Sequence, residues 1–587
     1  MTAFWLTGWA FVVAAGWLLP NHQPPWSSFH VDAWIAAALA LASIAVTLRS
    51  DKPIVWHSTP LMIAALGLVP AMQYALGLVL LSGTAWISSA YIVGLLLALL
   101  TGAQWEASRP GQLADGLFLA IGTAAVLSVG LQLHQWLGLD LLNAWSMGDG
   151  NGRPFANFGQ PNQLATFLLW GLLAVAWGLL RRRISRGTAT LLSLYLLFGL
   201  ALTQSRTAWI ALGLLILASW YWHRLWADRR WPWLACALGL YFAGCALSLG
   251  FLNQALLLSL PLDTGHLAQT TGETRPLIWS IFIDAALQRP LFGYGWNQVG
   301  MAHISSALSH PALESLHAHS HNLFLDLVLW CGIPAGLLLS LYLVRWFWLR
   351  IKVVDCAQDA VLMLLLLVIG NHAMLELPLH YAYFLLPVGL VMGALNVRLR
   401  AHPVLSTARW SLVVLCGLSV ALLALIIRDY LRIEKSHQEL RFEQAHIRLD
   451  HPGQPPDVLL LTQFREFIRM ARFEPTIDMS ADDLDWMRRL ANTYPGTATI
   501  PKLALALAMN GQGSEAQLWL RKVCRFEPAS NCNAVCNYWT NQSLMHPALA
   551  AVPWPNELLL PHRAVNVHSR DNPVEVSSPK GREIYEP

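Results

Sequence analysis

The segment 315-SLHAHSHNLFLDLVLWCGIPAG-336 sets three histidines, His317, His319 and His321, against a run apolar enough to enter a bilayer. Ionisable groups at such a boundary are expensive to bury and usually serve a purpose. Three chemistries suit them. Two of the imidazoles could ligate zinc, but a catalytic zinc takes three protein ligands, and no HExxH pattern follows. They could cap a helix at the interface. Or one of them, titrating near neutrality, could accept or orient a proton during group transfer. In a helix starting near residue 316, His317 and His321 share a face and His319 points elsewhere.

Four arginines stand out for their setting. Arg153 lies in 149-DGNGRPFANFGQPNQLA-165, Arg206 in 203-TQSRTAW-209 and Arg275 in 273-ETRPLIW-279, and Arg289 follows. A guanidinium grips two phosphate oxygens with its planar fork and keeps its charge beside lipid. Arg206 and Arg275, placed at the outer face, suit a lipid-linked diphosphate. The competing reading is a snorkelling anchor at a helix end, which fits Arg289 best.

The elements that must position these groups are apolar helices. The 587 residues are 55% hydrophobic and 12% charged, with a mean hydropathy of +0.45. Soluble domains carry roughly twice that share of charge, so a soluble enzyme is excluded. A span needs about 20 apolar residues to cross about 30 Å of hydrocarbon. The pattern predicts spans near 3–20, 32–48, 57–80, 85–104, 113–137, 161–180, 188–204, 207–223, 232–258, 320–344, 357–376, 380–397 and 411–428. The first is read as a retained helix, since no basic residue precedes it. With the N-terminus in the cytoplasm, the inside loops hold most of the arginines and lysines. The outside ones hold only Arg153, Arg206, Arg275 and Arg289, as the positive-inside rule requires. This gives an all-α, polytopic protein of about 13 transmembrane helices, its C-terminal tail outside. Residues 1–428 form the membrane domain, with long outside loops near 138–160 and 259–318, and loops of that length tend to be functional.

Beyond residue 428 the composition turns polar. A helical domain is predicted over 429–562 and a disordered tail over 563–587. Within it, 494–528 reads as two helices around 510-NGQG-513, resembling a single tetratricopeptide-like unit or an ordinary helical hairpin. Cys524, Cys532 and Cys536 predict one disulfide of open pairing, and the cysteines in the spans read as packing residues.

The motifs 157-NFGQPNQLATFLLWG-171, 205-SRTAW-209, 275-RPLIWSIFIDAALQRPLFGYGWN-297, 319-HSHNLFLDLVLWCGIPAG-336 and 375-LELPLHYAYFLLPVG-389 occur in the order seen in the O-antigen ligase/polymerase superfamily. They most resemble its PglL-type bacterial protein O-oligosaccharyltransferases, the pilin glycosylation ligases. The resemblance covers roughly residues 150–400 and implies a GT-C-like fold in the bacterial inner membrane, with the site and tail periplasmic. His321 then matches the superfamily's essential histidine, expected to activate the acceptor hydroxyl. Arg206 and Arg275 match the arginines expected to hold the diphosphate. Gln160 matches a residue important to the protein-glycosylating branch, and one of Tyr381 and Tyr383 a functional tyrosine. Asn162, Asn322 and Arg153 are further candidates from the same motifs.

The implied donor is an undecaprenyl-diphosphate-linked oligosaccharide and the implied acceptor a Ser or Thr of an exported protein such as type IV pilin. Membrane lipid is the remaining partner. No metal, cofactor or nucleic acid is expected. The rival readings are an O-antigen ligase acting on lipid A-core, an O-antigen polymerase and, more distantly, a transporter or flippase. A transporter would carry inverted repeats and charges near mid-membrane. The sequence has neither.

Overall fold

A computed structural model describes residues 3–148, 152–226, 228–258, 275–313, 315–447 and 453–555. The predicted tail at 563–587 and the stretch 259–274 of the long loop lie outside the described residues. What is described is mostly helical, with almost no strand, because a segment in lipid must satisfy its backbone polar groups internally. The chain opens with α1 (Ala3–Gly16), α2 (Phe29–Leu48) and the short strand β1 (Ile54–Trp56). Next come α3 (Ser58–Leu66), α4 (Val69–Ala75), α5 (Ser82–Ser108), α6 (Gln112–Trp136), α7 (Pro161–Leu180), α8 (Arg186–Leu202), α9 (Arg206–Tyr221) and α10 (Trp231–Ala255). Among the described residues, six helices are long and apolar enough to cross a membrane: α2, α5, α6, α7, α10 and the later Trp410–Gln444. The protein is a multi-pass, all-α membrane protein.

Two predicted spans are not single helices. The 57–80 stretch divides into α3 and α4 at Gly67–Leu68. Pro70 lacks an N–H and disfavours helical geometry just before it, so one helix ends and another starts. The 320–344 stretch divides into α13 (Leu323–Cys331) and α14 (Ile333–Val353), preceded by α11 (Arg275–Gln288) and α12 (Val299–Ser306) in the long loop. Its break is Gly332, at φ +83°, where a Cβ would strike the Leu291 backbone carbonyl. The two divided stretches pack together. Gln73 donates to the Trp330 carbonyl at 2.8 Å, and Ser58 meets Tyr342 at 2.9 Å.

Two shorter apolar helices follow, α15 (Ala357–Ala373) and α16 (Ala382–Arg398). β2 (Leu405–Thr407), paired antiparallel with β1, then leads into α17 (Trp410–Gln444). α5 and α16 approach backbone to backbone because Gly102 and Gly393 leave room. A Cβ on either would collide with the other helix's carbonyl at Leu390 or Leu99. Small residues at such contacts replace the missing hydrophobic drive between helices in lipid.

The chain alternates between two ends of the bundle. The ribbon end carries β1–β2, and there Arg398 bonds Glu106 at 2.8 Å and also pairs with Asp359, while Arg181 bonds Asp115 at 2.9 Å. At the opposite end Asn157 donates to the Leu18 carbonyl, Arg153 to the Thr203 carbonyl and Tyr430 to the Trp26 carbonyl. Arg181 and Arg398 therefore lie at one end of the bundle and Arg153 at the other.

α17 passes residue 428 without a break and runs about 50 Å in all. The chain then returns, and buried Asp429 accepts from the backbone N–H groups of Leu459, Leu460 and Leu461 at 2.6–3.2 Å. A helical unit follows: α18 (Thr462–Arg472), α19 (Ala481–Thr493), α20 (Ile500–Met509), α21 (Gly513–Phe526) and α22 (Ala529–Met545). α20 and α21 are the predicted hairpin, and Cys524 pairs with Cys532, leaving Cys536 reduced. The core of this unit extends onto the bundle through Leu81, Ile304 and Ala307.

Candidate active site

The site end is organised around Glu376, in the loop between α15 and α16. Its Oε2 meets His321 Nδ1 at 3.0 Å, while Oε1 accepts from Arg275 Nη2 at 3.3 Å and from Asn162 Nδ2 at 3.3 Å. Three motifs far apart in sequence thus converge on one carboxylate. The Glu376 N–H donates to the His372 carbonyl at 2.8 Å, which fixes the loop against the end of α15. Burial opposes ionisation of Glu376, yet the hydrogen bond with His321 and the neighbouring Arg275 guanidinium help hold its carboxyl below the usual value.

His321 is placed by the residue after it. Asn322 is the N-cap of α13, its Oδ1 accepting from the N–H groups of Phe324 and Leu325 at 3.1 and 3.2 Å. Asn322 Nδ2 donates to the Met374 carbonyl at 3.3 Å, so the cap is tied to the Glu376 loop. His321 sits at φ +56°, a left-handed conformation that ends the loop just before the cap. The helix therefore begins at 323 and not near 316, which corrects the expected sharing of a helix face by His317 and His321. Their rings nonetheless lie 5.5 Å apart. Burial pushes His317 down to about 4, and His303, whose Nδ1 accepts from the His317 N–H at 3.1 Å, down to about 3. With Nδ1 directed at Glu376, His321 has Nε2 left to meet a substrate proton, an arrangement in which a carboxylate orients an imidazole base.

The other candidates form a second layer. Asn162 is bridged to Ser205, whose hydroxyl donates to Asn162 Oδ1 at 2.7 Å and also caps α9. Arg206, the first residue of α9, is exposed at this end. Arg153 donates through Nε and Nη2 to the Thr203 carbonyl at 3.2 and 3.0 Å, so it braces the turn that presents Arg206. Gln160 is the N-cap residue of α7 and is half-buried. Tyr383 is buried, its hydroxyl donating to Gln163 Oε1 at 2.7 Å, and Tyr381 stacks on it at 5.2 Å.

Sequence reasoning missed Glu376 and Ser205. The signal for Glu376 was a lone carboxylate closing an apolar run, in 375-LELPLH-380. For Arg275 this carboxylate partner stands in a different motif. A separate group, His319, Asp326 and His380, brings ligand-capable atoms within 4.8 Å of one another.

Comparison with known proteins bears on this arrangement. The O-antigen ligase family model matches residues 190–340, which hold Arg206, Arg275 and His321. The protein glycosylation ligase model matches 154–177, which hold Gln160 and Asn162. The C-terminal model of virulence factor membrane-bound polymerases matches 360–531, which hold Glu376 and Tyr381. A general O-oligosaccharyltransferase of Acinetobacter baylyi is 29% identical over 86% of this chain and 90% of its own length. The chain resembles the PglL-type protein O-oligosaccharyltransferases. A ComP-specific O-oligosaccharyltransferase of the same organism is also 29% identical, over 42% of this chain and 45% of that protein.

Proposed function

We propose that this protein is an O-oligosaccharyltransferase. It moves a glycan from an undecaprenyl-diphosphate carrier to Ser or Thr hydroxyls of exported proteins such as pilin, at the periplasmic face of the inner membrane. That it is a glycosyltransferase of the oligosaccharyltransferase type rests on the two Acinetobacter relatives and the O-antigen ligase match. The observation that carries the mechanism is the convergence of His321, Arg275 and Asn162 on Glu376.

In this reading the acceptor oxygen attacks the anomeric carbon and forms the new glycosidic bond. The bond from that carbon to the lipid diphosphate breaks, and its electron pair leaves with the phosphate oxygen. His321 Nε2 takes the hydroxyl proton, and Glu376 orients the ring and stabilises the imidazolium. Arg206 and Arg275 face the charge growing on the diphosphate. Electrostatic stabilisation of that kind is aimed at the transition state, and its loss costs about 2–4 kcal/mol per donor. No step needs a metal. The unit from residue 429 onward leans on the loop before His321 and is proposed to present the acceptor: the Leu313 N–H donates to the Arg525 carbonyl at 3.0 Å, and Leu316 packs on its core.

The test is co-expression with a lipid-linked glycan pathway and a candidate pilin, followed by mass spectrometry of the pilin and lipopolysaccharide profiling. Glycan on the pilin that disappears in His321→Ala, with the protein still in the membrane, supports the reading. Glycan only on lipopolysaccharide assigns a lipid acceptor instead, and full activity of His321→Ala overturns the mechanism.

A further inference from the structure

Behind the His321 turn lies a second constellation that glycan transfer does not use. His319 and Asp326 come from the segment that carries His321, and His380 from the facing turn Pro378–His380. The His319 and His380 rings are 4.0 Å apart, and Trp330 walls the group 5.5 Å from His380. His319 is only 7% exposed, and its Nδ1 has no hydrogen-bond partner. A buried polar atom left unsatisfied costs about 1–3 kcal/mol, and native interiors seldom leave one without a ligand, ion or water.

We propose that His319, Asp326 and His380 bind a divalent ion of the zinc class, which staples the His321 turn to the Pro378–His380 turn. Two imidazoles and one carboxylate, with His319 and Asp326 buried and His380 half-buried, are a donor set that suits zinc over magnesium or calcium. A metal needs its imidazoles neutral. Asp326 Oδ1 accepts from the Ser320 N–H at 2.8 Å, an orienting bond of the kind that surrounds metal ligands. Zinc bonds of about 2.0–2.1 Å draw the three donors closer than they stand, a movement available to side-chain rotation.

The consequence is positional. His319 is two residues before His321, and His380 four residues after Glu376. The ion therefore joins the two segments that hold the His321–Glu376 pair, without touching substrate. Of the three clustered histidines, His319 supplies the metal ligand, and its partners come from positions that spacing alone does not connect.

The test uses the full-length protein in detergent, purified without immobilised-metal chromatography and measured by inductively coupled plasma mass spectrometry. The expected result is about one zinc per chain. In His319→Ala and His380→Ala the content falls on the order of ten-fold or more, whereas His317→Ala keeps it. Wild-type protein that stays metal-free after incubation with zinc chloride and gel filtration overturns the proposal and assigns the cavity to water. So does a monodisperse His319→Ala that retains its zinc. Should both ligand variants aggregate, wild-type protein loaded with cobalt chloride decides: visible d–d bands support the site, and their absence overturns it. None of these readouts involves glycan transfer, so the outcome stands apart from the proposed function.

Discussion

The two ends of the bundle each hold a buried arginine–carboxylate cluster, and the clusters differ in balance. At the ribbon end one arginine, Arg398, serves two carboxylates, Glu106 and Asp359, whose side chains are 3% and 5% exposed. Glu106 also accepts from the Gly111 N–H at 3.0 and 3.1 Å. The cluster locks α5, α15 and α16 together. At the site end the ratio is reversed. One carboxylate, Glu376, receives Arg275, His321 and Asn162, and Arg275 and His321 keep about a quarter of their side-chain surface open. A saturated cluster is a clamp. A cluster with donors in excess and an open side is prepared for an anion and a proton.

That contrast can be broken from either end. The largest effect is expected for His321→Ala, which should lower glycan transfer by about 10²–10⁴-fold, the usual contribution of a positioned base, with little change in thermal unfolding. Next is Arg398→Met, which leaves two buried carboxylates without a cation. It should destabilise the bundle by about 3–5 kcal/mol in a detergent melt while the surviving folded protein transfers glycan at its normal rate. If Arg398→Met instead lost transfer and kept its melting temperature, the assignment of clamp and site would be reversed. Arg275→Ala should raise the barrier by about 2–4 kcal/mol, read as the rate of transfer at saturating acceptor. Ser205→Ala removes both the α9 cap and the bond to Asn162, and should cost about 1 kcal/mol of stability with less than about a ten-fold loss of transfer.

The smallest effect lies away from both clusters. In the helical unit Arg488 donates to Glu515 at 2.8–2.9 Å, and this bond holds the Glu515 carboxyl below its ordinary value. A carboxyl lowered on folding adds stability that is present above its unfolded value near 4.5 and is lost as pH falls through the lower folded one. Acid should therefore loosen the α19–α21 contact below about pH 4.5, and Glu515→Gln should flatten that dependence in a pH series of melts.

Several features were legible in the sequence for reasons that can be named. Apolar runs with few charges predict helices because lipid offers the backbone no other partner, and the basic skew predicts which loops share an end. The hairpin at 494–528 follows from a helical pattern broken by 510-NGQG-513. Hydropathy could not see the breaks inside 57–80 and 320–344, because Pro70 and Gly332 act through backbone geometry and not through polarity. Nor could spacing reveal Glu376, since a residue's partners across a bundle are set by which helices pack.

What the sequence alone determined is therefore the chemistry on offer: a histidine preceding a helix cap, arginines stranded at one end, and a polar tail beyond the last span. Each is a local property, fixed by residue type and by the solvent its segment must meet. What only the tertiary structure decided is the company those residues keep. Close packing of α5 against α16 and the turn at 374–381 bring Glu376 to His321, Arg275 and Asn162, and bring His380 to His319 and Asp326. Such contacts join positions up to 214 residues apart. They exist because side chains converge when helices pack, and no local pattern encodes that convergence.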